Sequence, residues 1–203
     1  MKIVQTRQAP NPRRVRIYLA EKGIEVAFEE VDLMKGDLKT PEFTKLNRFQ
    51  RVPVLLLDDG TAISETMAIC RYFEATKPEP ALFGKTPLEI ARVEMWNRRM
   101  ELGLFFHIQQ AFRHLHPAMA HLEVPQVAAW GEANKAKVLD VLAVVDEALG
   151  QTKYIAGDSY SVADITALVA IDFMKPARIV RPETLTNLAR WHADVASRPS
   201  AKA

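Results

Sequence analysis

The chain has 203 residues, of which 48% are hydrophobic and 26% are charged, and its formal net charge is +2. These values are typical of a soluble globular protein with enough chain for one large or two small domains. The balanced charge gives no reason to expect a nucleic-acid partner. The arginines Arg13, Arg14 and Arg16 are interpreted as the solvated face of a short helix.

The single cysteine, Cys70, excludes an internal disulfide and a metal site with several cysteine ligands, which favours a reducing compartment. Its position on an apolar helix face predicts a buried structural thiol. No run approaches the roughly 18 apolar residues that a membrane span requires, and Met1–Val4 lacks a signal-peptide core. We therefore expect a cytoplasmic protein with no membrane partner.

The chain opens with a predicted strand, helix and strand. Lys2–Gln5 is a short, partly apolar segment. Asn11 as N-cap and Pro12 at the first helical position predict the start of a helix, and Gly23 predicts its end. The alternation from Val26 to Leu33 predicts a second strand, which a right-handed crossover would place parallel to the first.

Capping residues, a turn and a short apolar run predict four more elements, from Thr40 to the helix that opens at Ser64. Thr40 before Pro41 predicts a short helix. The next three segments are a buried strand, a turn and a second strand: Val54–Leu57, Asp58–Gly60 and Thr61–Ile63. Ser64 is a natural N-cap, so another helix is predicted to open there.

The stretch from Val52 to Glu65 combines features suited to a peptide ligand. Pro53 belongs at a strand entry, which leaves the Val52 backbone N–H and C=O free to pair with an extended peptide. Ser64 offers a hydroxyl and a helix N-terminus to a carboxylate, and Glu65 offers a carboxylate to an ammonium group. An amino-acid headgroup attached to a peptide backbone fits this combination.

These residues resemble a known family. Val52-Pro53, the Asp-Gly turn and Ser64-Glu65-x-x-Ala68-Ile69 resemble the glutathione-binding motif of the cytosolic glutathione transferases (glutathione S-transferases), here of bacterial type. The resemblance implies an α/β N-terminal thioredoxin-like domain followed by an all-α C-terminal domain. We place the first domain at residues 1–75, a linker at 76–86 and the helical domain at 87–203.

The resemblance also implies roles for individual residues. Val52 would pair with the cysteinyl backbone of glutathione, next to Pro53. Ser64 would contact the γ-glutamyl carboxylate and Glu65 its ammonium group. The glycyl carboxylate would meet the two basic residues Lys35 and Arg51. The alternatives are ordinary helix capping for Ser64 and Glu65 and a solvated loop lysine for Lys35. Leu38 stands where some classes carry a polar contact, which is lost here.

The second half of the chain contains predicted helices alone. The apolar spacing predicts four of them: Leu88–Leu115, Gln126–Leu149, Ile165–Phe173 and Leu185–Ala196. Ser161 and Asp164 form a capping box before the third, which is apolar nearly all round and is therefore expected to be central. Three phenylalanines are interpreted as core, with a pocket for a second substrate as the alternative: Phe105, Phe106 and Phe112. No carboxylate stands at metal-ligand spacing from the histidines, so no metal site is predicted.

The chemistry that the resemblance implies depends on a thiolate at the mouth of the first helix. Ala9 stands where serine-type classes carry an activating hydroxyl and the omega type carries a cysteine. The bacterial Nu type has an asparagine two residues further on, and Asn11 matches it. Our hypothesis is that the Asn11 amide holds the thiolate, with backbone N–H groups and Thr6 or Gln8. The alternative is that Asn11 is a helix cap alone.

Three functions remain open at this stage. The leading prediction is a transferase that joins the glutathione thiolate to an apolar electrophilic small molecule. A glutathione-dependent disulfide reductase is the second, because of Asn11. A catalytically weak binding or interaction protein is the third, because of Ala9 and Leu38. The resemblance further implies a homodimer, formed through the long helix and the helix at Ser64.

Overall fold

The structure, a computed structural model, describes residues 1–203 and divides into two compact units. The first comprises Met1–Ala81 together with Pro199–Ala203, and the second comprises Leu82–Arg198. The predicted boundaries differ most at the carboxyl end, where the sequence pattern placed residues 199–203 in the helical domain. In the structure Arg13 Nη2 donates to the Ala201 carbonyl at 3.0 Å, so these last residues pack on the first unit.

The first unit contains a four-stranded sheet with the order β2-β1-β3-β4. Its strands are β1 (Lys2–Gln5), β2 (Ala27–Glu30), β3 (Val54–Leu56) and β4 (Ala62–Ser64). Strands β1 and β2 are parallel, as predicted, and the other two pairs are antiparallel. Strand β2 is shorter than predicted because Asp32 Oδ1 accepts the N–H groups of Met34 and Lys35, which turns the chain away from the sheet.

Three helices accompany the sheet: α1 (Pro10–Lys22), α2 (Pro41–Leu46) and α3 (Thr66–Thr76). The cap of α2 is as predicted, since Thr40 accepts a bond from the Phe43 N–H at 3.2 Å. The end of α1 at Gly23 is also as predicted, with φ of 58° in the left-handed region that favours glycine.

The predicted starts of α1 and α3 are both wrong. Helix α1 begins at Pro10 with Ala9 as its N-cap, so Asn11 lies inside the first turn. The fixed φ of Pro10 suits a first helical position, and this preference outweighs the capping tendency of Asn11. Ser64 does not cap α3, because it pairs with Val54 and ends strand β4. Glu65 occupies the N-cap position without a side-chain bond.

A small apolar cluster fixes the sheet to the loops that carry the predicted site. Val4, Leu38, Phe43 and Val54 are buried together, and the Val52 side chain packs against them. Leu38, predicted only as a missing polar contact, is therefore a core residue that is 4% exposed. Because the Val52 side chain packs on this cluster, the Val52 backbone is held in place just before strand β3.

Buried Lys22 connects the end of α1 to the segment after α3. Its Nζ lies 2.5 Å from a Glu74 carboxylate oxygen and donates to the carbonyls of Lys77, Pro78 and Pro80 at 2.6–2.9 Å. The charge is thus compensated by one carboxylate and three carbonyl oxygens, as a fully buried ammonium group requires. Lys22 therefore fixes residues 77–80 of the predicted linker to the end of α1.

The second unit is helical throughout: α4 (Pro87–Arg98), α5 (Phe106–Leu115), α6 (Ala128–Leu149), α7 (Val162–Phe173) and α8 (Thr186–Ala196). The predicted long helix Leu88–Leu115 is interrupted by a π-helical segment at Arg99–Phe105. Helix α7 is buried along nearly its whole length, and its Ser161–Asp164 capping box is present as predicted. The α/β unit followed by an all-α unit confirms the predicted fold class.

Phe105 is 1% exposed and belongs to the core as predicted, whereas the core prediction is wrong for Phe106, which is 41% exposed. Cys70 is fully buried, as predicted for a structural thiol. No helix has the length and apolar character that crossing a membrane would need.

Candidate glutathione-binding site

The mouth of helix α3 has unpaired groups that suit an anionic and an ammonium partner. The first intrahelical bond runs from the Ile69 N–H to the Glu65 carbonyl at 3.0 Å, so the N–H groups of the preceding turn lack helical acceptors. The Ser64 hydroxyl and the Glu65 carboxylate form no hydrogen bond or ion pair within the protein. Donors for a carboxylate and an acceptor for an ammonium group therefore lie on two adjacent residues.

Glu65 has a backbone conformation that glutamate rarely adopts. Its φ is 72° and its ψ is 123°, and it is one of three residues other than glycine with positive φ. Such a conformation costs of order 1–3 kcal/mol and persists only where the surroundings impose it. Here strand β4 ends at Ser64 and α3 begins at Thr66, so the chain passes from strand to helix within one residue.

Val52 has an unpaired backbone N–H and C=O, as the sequence predicted. It lies outside strand β3, which begins at Val54, and its backbone N–H and C=O form no hydrogen bond within the protein. The Val52–Pro53 peptide bond is cis. Since β3 pairs with β4 through Val54 and Ser64, one antiparallel pair carries both the Val52 edge and the α3 mouth.

Asn47 holds the loop before Val52 and was missed as a site residue at the sequence level. It is 5% exposed, its Nδ2 donates to the Arg51 carbonyl at 2.9 Å, and its Oδ1 accepts the Phe49 N–H at 3.0 Å. A short polar side chain that bonds to the backbone two residues ahead is a common turn element. The asparagine before a polar loop was the available signal, and it is a weak one.

The two predicted basic residues are exposed on loops. Lys35 Nζ lies 3.5 Å from Asp32 Oδ2, and its side chain is 79% exposed. Arg51 donates to the neighbouring Gln50 carbonyl at 3.3 Å, a weak contact for a guanidinium. Backbone bonds from Met34 and Lys35 lower the pKa of Asp32, which keeps an anion beside Lys35. Lys35 is therefore less available to a ligand than Arg51 is.

The mouth of helix α1 has few donors, and Asn11 supplies most of them. Pro10 and Pro12 have no N–H, so Asn11 is the only one of the first three helical residues with a backbone donor. Its side-chain Oδ1 accepts from Arg14 Nη1 at 3.2 Å, and its Nδ2 has no partner within the protein. The interpretation of Asn11 as an N-cap is wrong, because Ala9 holds that position.

Two side chains were proposed to assist Asn11, and one of them, Thr6, already uses its hydroxyl proton in a hydrogen bond within the protein. Its hydroxyl donates to the Val31 carbonyl at 2.7 Å, so its single proton serves the fold. Gln8 is exposed and forms no hydrogen bond within the protein.

The interpretation of Arg14 and Arg16 as part of a solvated helix face is wrong. They are 1% and 8% exposed. Burial lowers the pKa of Arg16, an effect that neighbouring Arg7 strengthens and Glu30 opposes. Arg14 orients the Asn11 amide, a contact that the helical spacing of three residues allows but does not reveal in advance.

Comparison with known proteins identifies the family to which the chain belongs. Residues 9–76 match the family model for the glutathione S-transferase N-terminal domain, and residues 95–199 match that for the C-terminal domain. The chain is 40% identical over 205 residues to glutathione S-transferase 2 of Saccharomyces cerevisiae, covering all of this chain and 88% of that protein.

Solved structures agree with this match. A glutathione S-transferase domain-containing protein from Marinobacter aquaeolei superposes with a TM-score of 0.95 at 40% identity, covering 98% of this chain and 99% of the other. The crystal structure of Gtt2 from Saccharomyces cerevisiae gives a TM-score of 0.95 at 40% identity, covering 100% and 99%. The chain belongs to the glutathione S-transferase family, as its motifs indicated.

Proposed function

We propose that this chain is a glutathione transferase that joins the sulfur of glutathione to an apolar, electrophilic small molecule. The observation that carries the proposal is the mouth of α3. There Glu65 adopts a φ of 72° and presents a carboxylate without a protein partner, directly after the unpaired Ser64 hydroxyl. A strained residue with an unused charge indicates a ligand that completes the site.

Glutathione is assigned to the site group by group. The Val52 backbone, next to Pro53, pairs with the cysteinyl residue as an added strand would. Ser64 and the α3 N-terminus receive the γ-glutamyl α-carboxylate, and Glu65 receives its ammonium group. Arg51 meets the glycyl carboxylate, with Lys35 as a second, weaker contact.

Asn11 is the proposed catalytic residue. An ordinary thiol has a pKa of about 8.5, and lowering it by about 2 units requires roughly 2.7 kcal/mol of preferential stabilisation of the thiolate. A hydrogen bond to a charged group contributes about 1.5–3 kcal/mol, and the end of a helix dipole adds to it. Hydrogen bonds from the Asn11 backbone N–H and from its Nδ2 are therefore sufficient to lower the thiol pKa by this amount. The proposed attack uses a thiolate held by amide groups and requires no metal.

A disulfide reductase is the second candidate function. It is favoured by the mouth of α1, where Asn11 offers amide donors and Ala9 offers no hydroxyl. A thiolate held by amides alone is equally suited to attack a disulfide sulfur.

We further propose a cytoplasmic homodimer. Helix α4 exposes Leu88 and Met95 at 59% and 41%, and their seven-residue spacing puts them on one face of the helix, which a second copy of the chain would cover. Light scattering after size-exclusion chromatography tests this. A mass near twice 22.9 kDa is expected, and the monomer mass would contradict the dimer.

One experiment separates the functions. The protein is applied to immobilised glutathione and then assayed with glutathione plus a chloronitroaromatic compound and, separately, hydroxyethyl disulfide. Retention with conjugation supports the transferase, and turnover of the disulfide alone supports the reductase. Retention without either turnover would leave a binding protein. Glu65→Gln serves as the control, since it keeps the shape of residue 65 and removes the charge that the ammonium group needs.

A further inference from the structure

The loop between β1 and α1 is held by a partly buried network that the assigned chemistry does not use. Its centre is Arg16, a helix residue that is 8% exposed. Arg16 Nη1 donates to Gln5 Oε1 at 2.8 Å, and Nη2 donates to the Arg7 carbonyl at 3.0 Å. One guanidinium thus bonds to the last residue of β1 and to the loop that follows it.

Glu30 holds the same segment from the other side. Its Oε1 accepts from Gln5 Nε2 at 2.6 Å, and its Oε2 accepts the Arg7 N–H at 2.9 Å. The Gln5 side-chain amide and the Arg7 peptide are therefore each bonded at both ends, to Arg16 and to Glu30. We call Arg16, Gln5 and Glu30 the arginine anchor.

The loop that the arginine anchor holds leads directly to the thiol-activating position. Arg7 precedes Ala9, the N-cap of α1, by two residues, and Asn11 follows in the first turn. Displacing a donor by about 1 Å costs up to roughly a hundredfold in rate when the donor must meet a reacting atom. Because Pro10 and Pro12 remove two N–H groups, few other donors compensate for a shift of Asn11.

We propose that the arginine anchor positions Asn11 for the glutathione thiolate, so that Arg16 and Glu30 are positioning residues for the reaction. This inference rests on the proposed function. The arginine anchor forms no hydrogen bond with Val52, Ser64 or Glu65, so we expect its loss to affect the thiol and to leave tripeptide binding unchanged.

The chain offers a matched pair of variants on one strand. Glu29 and Glu30 are neighbours on the edge strand β2, and both are exposed. Glu30 belongs to the arginine anchor, whereas Glu29 pairs with Lys2. Glu30→Ala removes both bonds to the loop, and Glu29→Ala removes a surface ion pair of similar exposure. Both variants are expected to fold.

The first measurement is steady-state kinetics with glutathione and the electrophile. For Glu30→Ala we expect kcat to fall about tenfold, the glutathione KM to stay within about twofold, and the pH midpoint of kcat/KM to move upward. Glu29→Ala should match the wild type in all three. Arg16→Lys, which keeps the charge and loses the planar fork, should repeat the Glu30→Ala pattern.

The second measurement is amide hydrogen exchange over residues 6–9, which does not depend on activity. Exchange of the Arg7 amide should rise in Glu30→Ala and not in Glu29→Ala. Faster exchange with unchanged kcat and pH profile would overturn the positioning role, and unchanged exchange would overturn the arginine anchor itself. A wild-type protein without glutathione turnover would instead refute the proposed function, and the exchange data would then decide the arginine anchor separately.

Discussion

Asn11 is the residue on which the proposed chemistry depends most. Its side-chain oxygen is bonded to Arg14 and its Nδ2 is free, while Ala9 holds the N-cap position. Removing the amide should therefore affect the thiolate more than the helix.

For Asn11→Ala we expect kcat/KM to fall about tenfold or more, because one hydrogen bond to a charged sulfur is lost. The melting temperature should fall only slightly, since the one bond lost within the protein is the 3.2 Å contact from Arg14 Nη1. Steady-state kinetics and thermal unfolding measure the two effects. Gln151→Ala, which removes an exposed amide without a side-chain hydrogen bond in the helical unit, is the control. A lowered melting temperature with unchanged turnover would contradict the assignment.

Glu65 combines a strained backbone with a carboxylate assigned to the ligand, and two different substitutions separate these properties. Glu65→Gly removes the side chain and also relieves the positive φ, so it should raise the unfolding free energy by about 1 kcal/mol while weakening glutathione binding. Glu65→Gln keeps the strain and should weaken binding alone. Chemical unfolding and calorimetric titration test the pair. A less stable glycine variant would show that the backbone of Glu65 carries no strain.

At the scale of the elements, the packing of α5 against α6 depends on a glycine. A Cβ at Gly131 of α6 would lie 2.5 Å from Leu115 Cγ of α5, so no larger side chain fits without movement. Gly103, in the π-helical segment, has open space at the same position. The two glycines form a natural comparison.

Gly131→Ala should lower the unfolding free energy by about 1–3 kcal/mol, because overpacking outweighs the gain in helix propensity. Gly103→Ala should raise it by up to about 1 kcal/mol, since only propensity changes. Urea unfolding measures both. Equal changes in the two variants would mean that the contact with Leu115 carries no energetic cost.

The capping box of α7 gives a pH-dependent contribution to stability. Asp164 is fully buried and accepts bonds from the N–H groups of Ile155 and Ser161 and from Trp191 Nε1, each at 2.9 Å. Burial raises the pKa of Asp164 to about 6, and these bonds oppose the shift without cancelling it. The folded state therefore holds a proton that the unfolded state releases at about pH 3.9.

This raised pKa predicts a stabilising contribution that is complete below about pH 4 and is lost as the pH rises through about 6. Compared with Asp164→Asn, which does not titrate, the wild type should lose up to roughly 3 kcal/mol of unfolding free energy between these limits. Chemical unfolding of both proteins across the range measures the difference. A difference that does not change with pH would contradict the raised pKa.

At the scale of the whole molecule, short-range rules predicted most of the architecture. The cap at Thr40, the end of α1 at Gly23 and the Ser161–Asp164 box were all predicted correctly, because each depends on a few adjacent residues. The starts of α1 and α3 were predicted wrongly, because strand pairing decides where Ser64 belongs and two prolines compete with Asn11.

For the site, too, the residues that depend on a local motif were predicted and the contacts between segments were not. The sequence predicted Val52, Ser64 and Glu65 through a local motif, and the structure leaves each of them without a protein partner at the groups assigned to glutathione. It did not predict that Asn47 holds the Arg51 carbonyl or that Arg16 bonds to the loop before α1. The Arg16 contact joins a helix to a loop before it, so periodicity and spacing carry no trace of it, and the Asn47 contact leaves only the weak signal of an asparagine before a polar loop.

The most direct test of the central claim is a crystal structure of the protein with glutathione bound. We expect the cysteinyl backbone to pair with Val52, the γ-glutamyl group to lie between Ser64 and Glu65, and the sulfur to accept a bond from Asn11. A Glu65 carboxylate turned away from the ligand, or a tripeptide bound elsewhere, would contradict the assignment.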